Sequence, residues 1–232
     1  MDLSRRSDAP ELMDDADLDN AEYARCLRDL AAVNRLTATH RPTLAWLDRA
    51  VQTLPPDTPV SILDVASGHG DLLRAIRRWA DRRGITARLE GIDLNPRSAR
   101  EAAAATDPAL EITWRTGDVF AYTPQPPPDF IVSSQFAHHL DDAGVARFLR
   151  WLDQHAAHGW LITDLHRHAL AYYGFPLLAR AMFWHRIVRL DGTVSIARSF
   201  RRGDWVGYLE NAKLAADIAW RLPFRWSVGH LK

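Results

Sequence analysis

The segment ILDVASGHGDLL, residues 62–73, constrains the fold of this 232-residue chain more than any other. Apolar positions from Val60 to Val65 give a short strand with Asp64 near its end, and the chain then turns through Ser67-Gly68-His69-Gly70. Gly68 and Gly70 carry no side chain to block close approach of backbone amides to a ligand. DLLRAIRRWADRRG continues at helical spacing and stops at Gly84. Strand, glycine turn and helix in that order form half of a right-handed crossover, whose ligand edge lies at the carboxyl end of the strand.

The same rhythm recurs downstream. ARLEGIDL predicts a strand, PRSAREAAAA a helix with Pro96 in the first turn, and EITWRTGD, DFIVSSQF and GWLITDL further strands, the last two separated by a helix from about Asp142 to His158. Strands alternating with helices predict an α/β fold, doubly wound around a mostly parallel sheet. Upstream, residues 1–20 hold seven acidic side chains and read as a polar lead-in. Tyr23, Cys26, Leu27, Leu30 and Val33 mark one helix and Leu44, Leu47 and Val51 a second, broken near Pro42 and ended by Pro55-Pro56. Residues 165–192, LHRHALAYYGFPLLARAMFWHRIVRLDG, are richer in large apolar groups than a surface crossover needs. They predict a helix, or two bent at Gly174-Phe175-Pro176, over the ligand edge. GDWVGYLENAKL is a further helix, and ADIAWRLP with FRWSVGHL a terminal antiparallel pair. The expected organisation is an N-terminal helical cap over 1–56 and a main α/β domain over 57–232, with a lid insertion at about 166–192.

Charge narrows the function. With 29 basic and 29 acidic residues the formal charge is zero, so no nucleic-acid partner is expected, because such binding draws on a basic surface. The single cysteine, Cys26, excludes an intrachain disulfide and reads as a buried structural thiol. The first residues lack the basic-then-apolar order of a signal peptide, and no charge-free run approaches the ~20 residues of a membrane span. A cytoplasmic monomer or homodimer is expected.

The glycine turn lacks the third glycine of the dinucleotide pattern, since Leu73 stands there, which disfavours NAD or FAD. With Asp93 at the end of the second strand and Asp118 after the third, the chain instead resembles the class I S-adenosylmethionine-dependent methyltransferases. SSQFAHHL, ITDLHRHALAYYGF and VSIARSFRRGDW extend the likeness to the UbiE-like small-molecule group, especially bacterial polyketide and phenolic-lipid O-methyltransferases. The resemblance implies a Rossmann-like seven-stranded sheet with its last strand antiparallel. It implies S-adenosyl-L-methionine as cofactor, held by Asp64, Ala66, Gly68, Gly70, Asp93, Leu94, Asp118, Val119 and Gln135. Asp93 would accept from the ribose hydroxyls and Asp118 from the adenine amino group, although a turn-capping role alone would also explain Asp118. The sequence departs from the family at Ala66 and at Lys213, where glycine is usual.

For the acceptor, the resemblance points to a small aromatic or polyketide hydroxyl, with C- or N-methylation of a small metabolite such as a quinone precursor as the alternative. His139 is the first choice of general base, His166 the second and His138 a lesser one, since a neutral imidazole accepts a proton readily near neutrality. Tyr172, Tyr173, Phe175, Phe183 and Trp184 are expected as an acceptor wall, although core packing explains any one of them. Tyr23, Asn34, Arg35, His40 and Trp46 are further pocket candidates. His138, His139, Asp164, His166 and His168 are a possible cluster without a zinc signature, so no metal is expected.

Overall fold

The computed structural model describes residues 2–232. After helices α1 (Asn20–Leu36) and α2 (Arg41–Ala50), the chain alternates β1 (Val60–Val65), α3 (Asp71–Arg82), β2 (Ala87–Asp93), α4 (Pro96–Ala104) and β3 (Ile112–Thr116). It continues through β4 (Phe130–Ser134), α5 (Asp142–His155), β5 (Gly159–Leu165), α6 (Ala169–Ala181), α7 (Arg186–Arg198), α8 (Arg202–Ala212), β6 (Asp217–Arg221) and β7 (Arg225–Leu231). The seven strands form one sheet in the order β3-β2-β1-β4-β5-β7-β6, parallel except for β7, which runs antiparallel to both β5 and β6.

Burial explains the order. β1 and β4 are apolar almost throughout and sit at the centre, where both faces are covered, whereas β3 is half-exposed and closes one edge. On one face Trp46, Leu47, Leu73, Ile76 and Trp79 from α2 and α3 pack against Ile62 and Phe130. On the other, Phe148, Leu152, Trp205 and Tyr208 from α5 and α8 pack against Ile131, Trp160 and Val228. The winding direction reverses between β1 and β4, and the crevice beyond their carboxyl ends is where a sheet of this kind opens.

Two local expectations change. Pro42 does not break the first helical region; it lies in the first turn of α2, where its missing N–H is harmless, and the break is at Ala38, with φ 51°. The helix over 169–181 does not divide at Gly174-Phe175-Pro176 but runs through Pro176; the chain turns at Phe183, with φ 56°. The acidic lead-in meets the domain along much of its length. Arg167 donates to the Leu3 carbonyl, and the Leu12 and Met13 amides donate to the carboxylate of Asp191 on α7.

Lys213, where the family usually has glycine, adopts φ 59° and ψ 42° at the end of α8, with the next amide, that of Leu214, bonded to the Leu209 carbonyl. A side chain in that left-handed position is strained. Lys213→Gly is expected to stabilise the fold by about 1 kcal/mol, raising the midpoint of thermal unfolding by about 2–4 °C. An unchanged or lower midpoint in a thermal melt would remove strain from the account of this turn.

Candidate active site

Beyond the carboxyl ends of β1, β4 and β5 lies a cavity of about 420 Å³, closed from above by α1, α6 and α7. At its β1 end the loop from Ala66 to Gly70 contributes backbone and little bulk. Ala66 sits at φ 59°, so its departure from glycine is a matter of backbone strain as well as space. Asp64 is 2% exposed and its Oδ1 has no hydrogen-bond partner. Burial, reinforced by the charges of Asp71 and Asp93, pushes its carboxyl well above the usual carboxylate range. Asp93 receives the Gly68 amide on Oδ2 and the Asn95 amide on Oδ1, each at 2.9 Å, which ties the end of β2 to the loop.

Asp71, the first residue of α3, links this loop to the N-terminal helices. Its Oδ2 accepts from Asn34 Nδ2 at 3.0 Å and lies 2.8 Å from His40 Nε2, while Gln135 Nε2 donates to Asn34 Oδ1 at 2.7 Å. Burial works against the Asp71 anion, but His40 and Asn34 outweigh it and hold the carboxyl below its ordinary value.

At the other end, beyond β4, His138 and His139 stand on one 3-10 turn beside Glu11. His138 is buried, with Nδ1 2.7 Å from Asp164 Oδ1 and Nε2 3.6 Å from Glu11 Oε1. Burial disfavours its cation, yet Asp164 and then Glu11 raise its pKa to about 9. Burial likewise opposes ionisation of Glu11, but His138, His139 and Ser195 bring it down to about 2. His139 is half-buried and lines the cavity, with Nε2 3.9 Å from Glu11 Oε2 and Nδ1 3.5 Å from Asp14 Oδ2. Leu30, Val33, Leu170, Phe175, Leu178 and Ile196 supply an apolar wall around these groups.

The structure therefore brings Asp64, Ala66, Gly68, Gln135, His138 and His139 to one cavity, with Gly70 and Asp93 shaping its loop. It does not bring Leu94, Asp118 and Val119 to that cavity. Leu94 is 71% exposed, Val119 is buried in the core, and Asp118 accepts the Phe120 amide as a cap, beside a separate shallow recess next to β3. The expected aromatic wall reduces to Phe175. Tyr173 and Phe183 are exposed and Trp184 is buried in the cluster with α1 and α7, so the rest of the wall is aliphatic, from Leu30 and Val33 of α1 with Leu170, Leu178 and Ile196. Among the N-terminal candidates Asn34 and His40 reach the cavity; Arg35 is exposed, Trp46 is in the core, and Tyr23 bonds Ser98 at 2.7 Å.

His166 also lies apart from the cavity lining. Although it follows β5 directly, its ring lies outside the cavity, with Nδ1 accepting from Trp220 Nε1 at 3.2 Å. Burial, helped by His168, Arg201 and Arg167, pushes its pKa down to about 4. Because this folded-state value lies below that of an unfolded histidine, the unfolded chain takes the proton first. His166 therefore costs stability as pH falls from about 6.5 toward 4. Proton NMR of the His166 ring is expected to show a midpoint near 4; one near 6.5 would contradict this environment.

Glu11, Asp71 and Asp191 are cavity residues that the sequence reading missed. Asp71 directly follows the glycine loop and was open to notice there. Glu11 and Asp191 carried no signal, because only the tertiary fold brings the lead-in against α7.

A sheet of this order, with a glycine loop at its switch point and acids at successive strand ends, has the architecture of an α/β domain that binds a nucleoside-containing cofactor. A family model described as a methyltransferase domain matches residues 37–215, and the chain belongs to that family; it is an S-adenosylmethionine-dependent methyltransferase. Comparison with curated protein sequences gives no match. Among solved structures, the plantazolicin methyltransferase BpumL in complex with a monoazolic desmethylPZN analog and SAH is similar with a TM-score of 0.65 at 14% identity, over 91% of this chain and 95% of that one. Magnesium protoporphyrin IX methyltransferase (ChlM) from Synechocystis PCC 6803 with bound SAM is similar with a TM-score of 0.58 at 13% identity, over 94% and 99%. The CurJ carbon methyltransferase gives 0.65 at 12% identity, over 92% of this chain and 61% of that one. At these identities the likeness is one of fold. No helix among the described residues is long and apolar enough to cross a membrane.

Proposed function

We propose that the protein methylates a hydroxyl of a small aromatic or polyketide acceptor, as expected for the UbiE-like group. The observation that carries this reading is the single cavity joining the glycine loop to the His139–Glu11 group through an apolar wall. Its β1 end suits the donor. The unpartnered buried oxygen of Asp64 offers an acceptor to a cationic ligand, the open space at Gly68 admits a close approach, and Asp93 keeps lone pairs for two ribose hydroxyls after receiving its two amides. Asp118, Leu94 and Val119 are assigned to the adenine end, outside the main cavity. S-adenosylmethionine supplies a methyl group already activated by its sulfonium, so the chain has to align the acceptor oxygen and keep water away.

The chain's own groups divide that work. Helix α6 and the first half of α7 act as the lid of residues 166–192 and α1 as part of an N-terminal cap, and their leucines and Phe175 bind an apolar ring and exclude water. His139 accepts the hydroxyl proton, and the carboxylates of Glu11 and Asp14 stabilise the imidazolium that results. The reaction is placed in a reducing cytoplasm, consistent with the free buried thiol of Cys26.

Incubation with methyl-labelled donor and a panel of phenols, quinols and aromatic polyketides tests this reading. Label on an acceptor oxygen, located by mass spectrometry and NMR, is expected. Label on carbon or nitrogen would replace O-methylation with the other reaction class.

A further inference from the structure

We infer that Glu11, His138 and His139 form a binding site for one divalent transition-metal ion, of the zinc type, at the acceptor end of the cavity. One ligand atom from each of the three residues lies within 4.8 Å of the others. Both imidazoles turn Nε2 toward the two oxygens of Glu11, at 3.6 Å and 3.9 Å. These separations exceed a hydrogen bond; two ligands about 2.1 Å from one tetrahedral ion stand about 3.4 Å apart, so the Glu11 oxygens are near ligand spacing from both imidazoles, and the group as a whole, within 4.8 Å, would draw inward on binding.

The surroundings hold the three ligands in orientation. The other ring nitrogen of each histidine faces a carboxylate: His138 Nδ1 is 2.7 Å from Asp164, and His139 Nδ1 is 3.5 Å from Asp14. Carboxylates behind ligating imidazoles are the usual outer support of a metal centre, because they fix ring orientation and raise ligand basicity. Ser195 Oγ donates to Glu11 Oε1 at 2.9 Å, and Arg198 donates to the backbone carbonyls of His138 and His139 at 3.0 Å and 2.8 Å, which pins the turn. Two imidazoles and one carboxylate supply three protein ligands and leave a position open toward the cavity, the arrangement of a catalytic rather than a closed structural site. The two histidines stand in the cluster that the sequence suggests, but the carboxylate ligand, Glu11, comes from the far end of the chain.

This deepens the proposed function at the same site. If the ion were bound, Glu11, His138 and His139 would hold it, and it would lower the pKa of an acceptor hydroxyl in the open position, whose proton would pass to solvent rather than to His139. Uptake of the ion itself requires neither donor nor acceptor, so its test reads binding and not turnover.

Tag-free protein, stripped with a chelator and dialysed, is titrated with Zn²⁺ by calorimetry and with Co²⁺ by visible absorption. One ion per chain is expected, with the d–d bands of four- or five-coordinate cobalt. Glu11→Gln and His139→Ala, each checked for intact fold by circular dichroism, are expected to weaken uptake at least about tenfold. No saturable uptake, or uptake unchanged in both variants, would overturn the site. A parallel titration with S-adenosylhomocysteine separates the two readings. Cofactor binding without metal uptake overturns the metal site alone, whereas metal uptake without cofactor binding overturns the donor site and leaves the metal site standing.

Discussion

Replacing His139 by alanine is expected to lower single-turnover methyl transfer by roughly tenfold to a thousandfold, the range for loss of a positioned proton acceptor. The imidazole lines the cavity between the apolar wall and the carboxylates of Glu11 and Asp14, and it makes no hydrogen bond or ion pair to Asp64 or Asp93. Affinity for the demethylated donor is therefore expected to stay within about twofold, because the loss falls on the transition state and not on cofactor binding. An acidic phenol should suffer less than a weakly acidic one, since it reaches its anion with little help. Normal turnover by the variant across both acceptors would demote His139 to a structural group.

Gly70→Ala should have the second large effect, on stability and donor binding together. Gly70 has φ +75°, and an added Cβ would lie 2.2 Å from Cη2 of Trp114. The indole cannot retreat easily, because Gly91 on the neighbouring strand is itself packed against Trp114 and Ser67. Left-handed strain and overpacking together are expected to cost about 3 kcal/mol, or about 6–12 °C in the unfolding midpoint. Any relief must come from moving the loop that carries Gly68 and its amide bond to Asp93. Donor affinity is therefore expected to fall by more than about tenfold. A thermal melt and a donor titration that both match the parent protein would show that the loop does not depend on this packing.

Much of the fold was legible because its signals are local. Apolar runs such as Val60–Val65 and Phe130–Ser134, a glycine turn leading directly into α3, and Pro96 opening α4 each state their own conformation, and together they require a parallel sheet with a ligand edge. The residues of the proposed donor end stand out for the same reason: Asp64, Gly68, Gly70 and Asp93 lie at strand ends or in the turn itself. Those of the acceptor end do not. Glu11 reads as one of several acids in a polar lead-in, and only its packing beneath His138, with Asp191 holding the next two amides, makes it a cavity residue. His166 shows the converse. Its position after β5 suggested the ligand edge, but the choice between cavity and Trp220 is a matter of side-chain direction that strand position does not encode. The aromatics of α6 failed similarly, since apolar character marked the helix without marking which of its faces turns inward.

Donor binding at the ends of β1 and β2 is tested most directly by calorimetric titration of the parent protein and Asp93→Ala with S-adenosylhomocysteine. Saturable binding to the parent is expected, with affinity lower in the variant by about 2 kcal/mol, or about 30-fold, for charge-assisted hydrogen bonds to the ribose. No binding of either S-adenosylhomocysteine or S-adenosylmethionine to the parent, or unchanged affinity in a correctly folded Asp93→Ala, would contradict it.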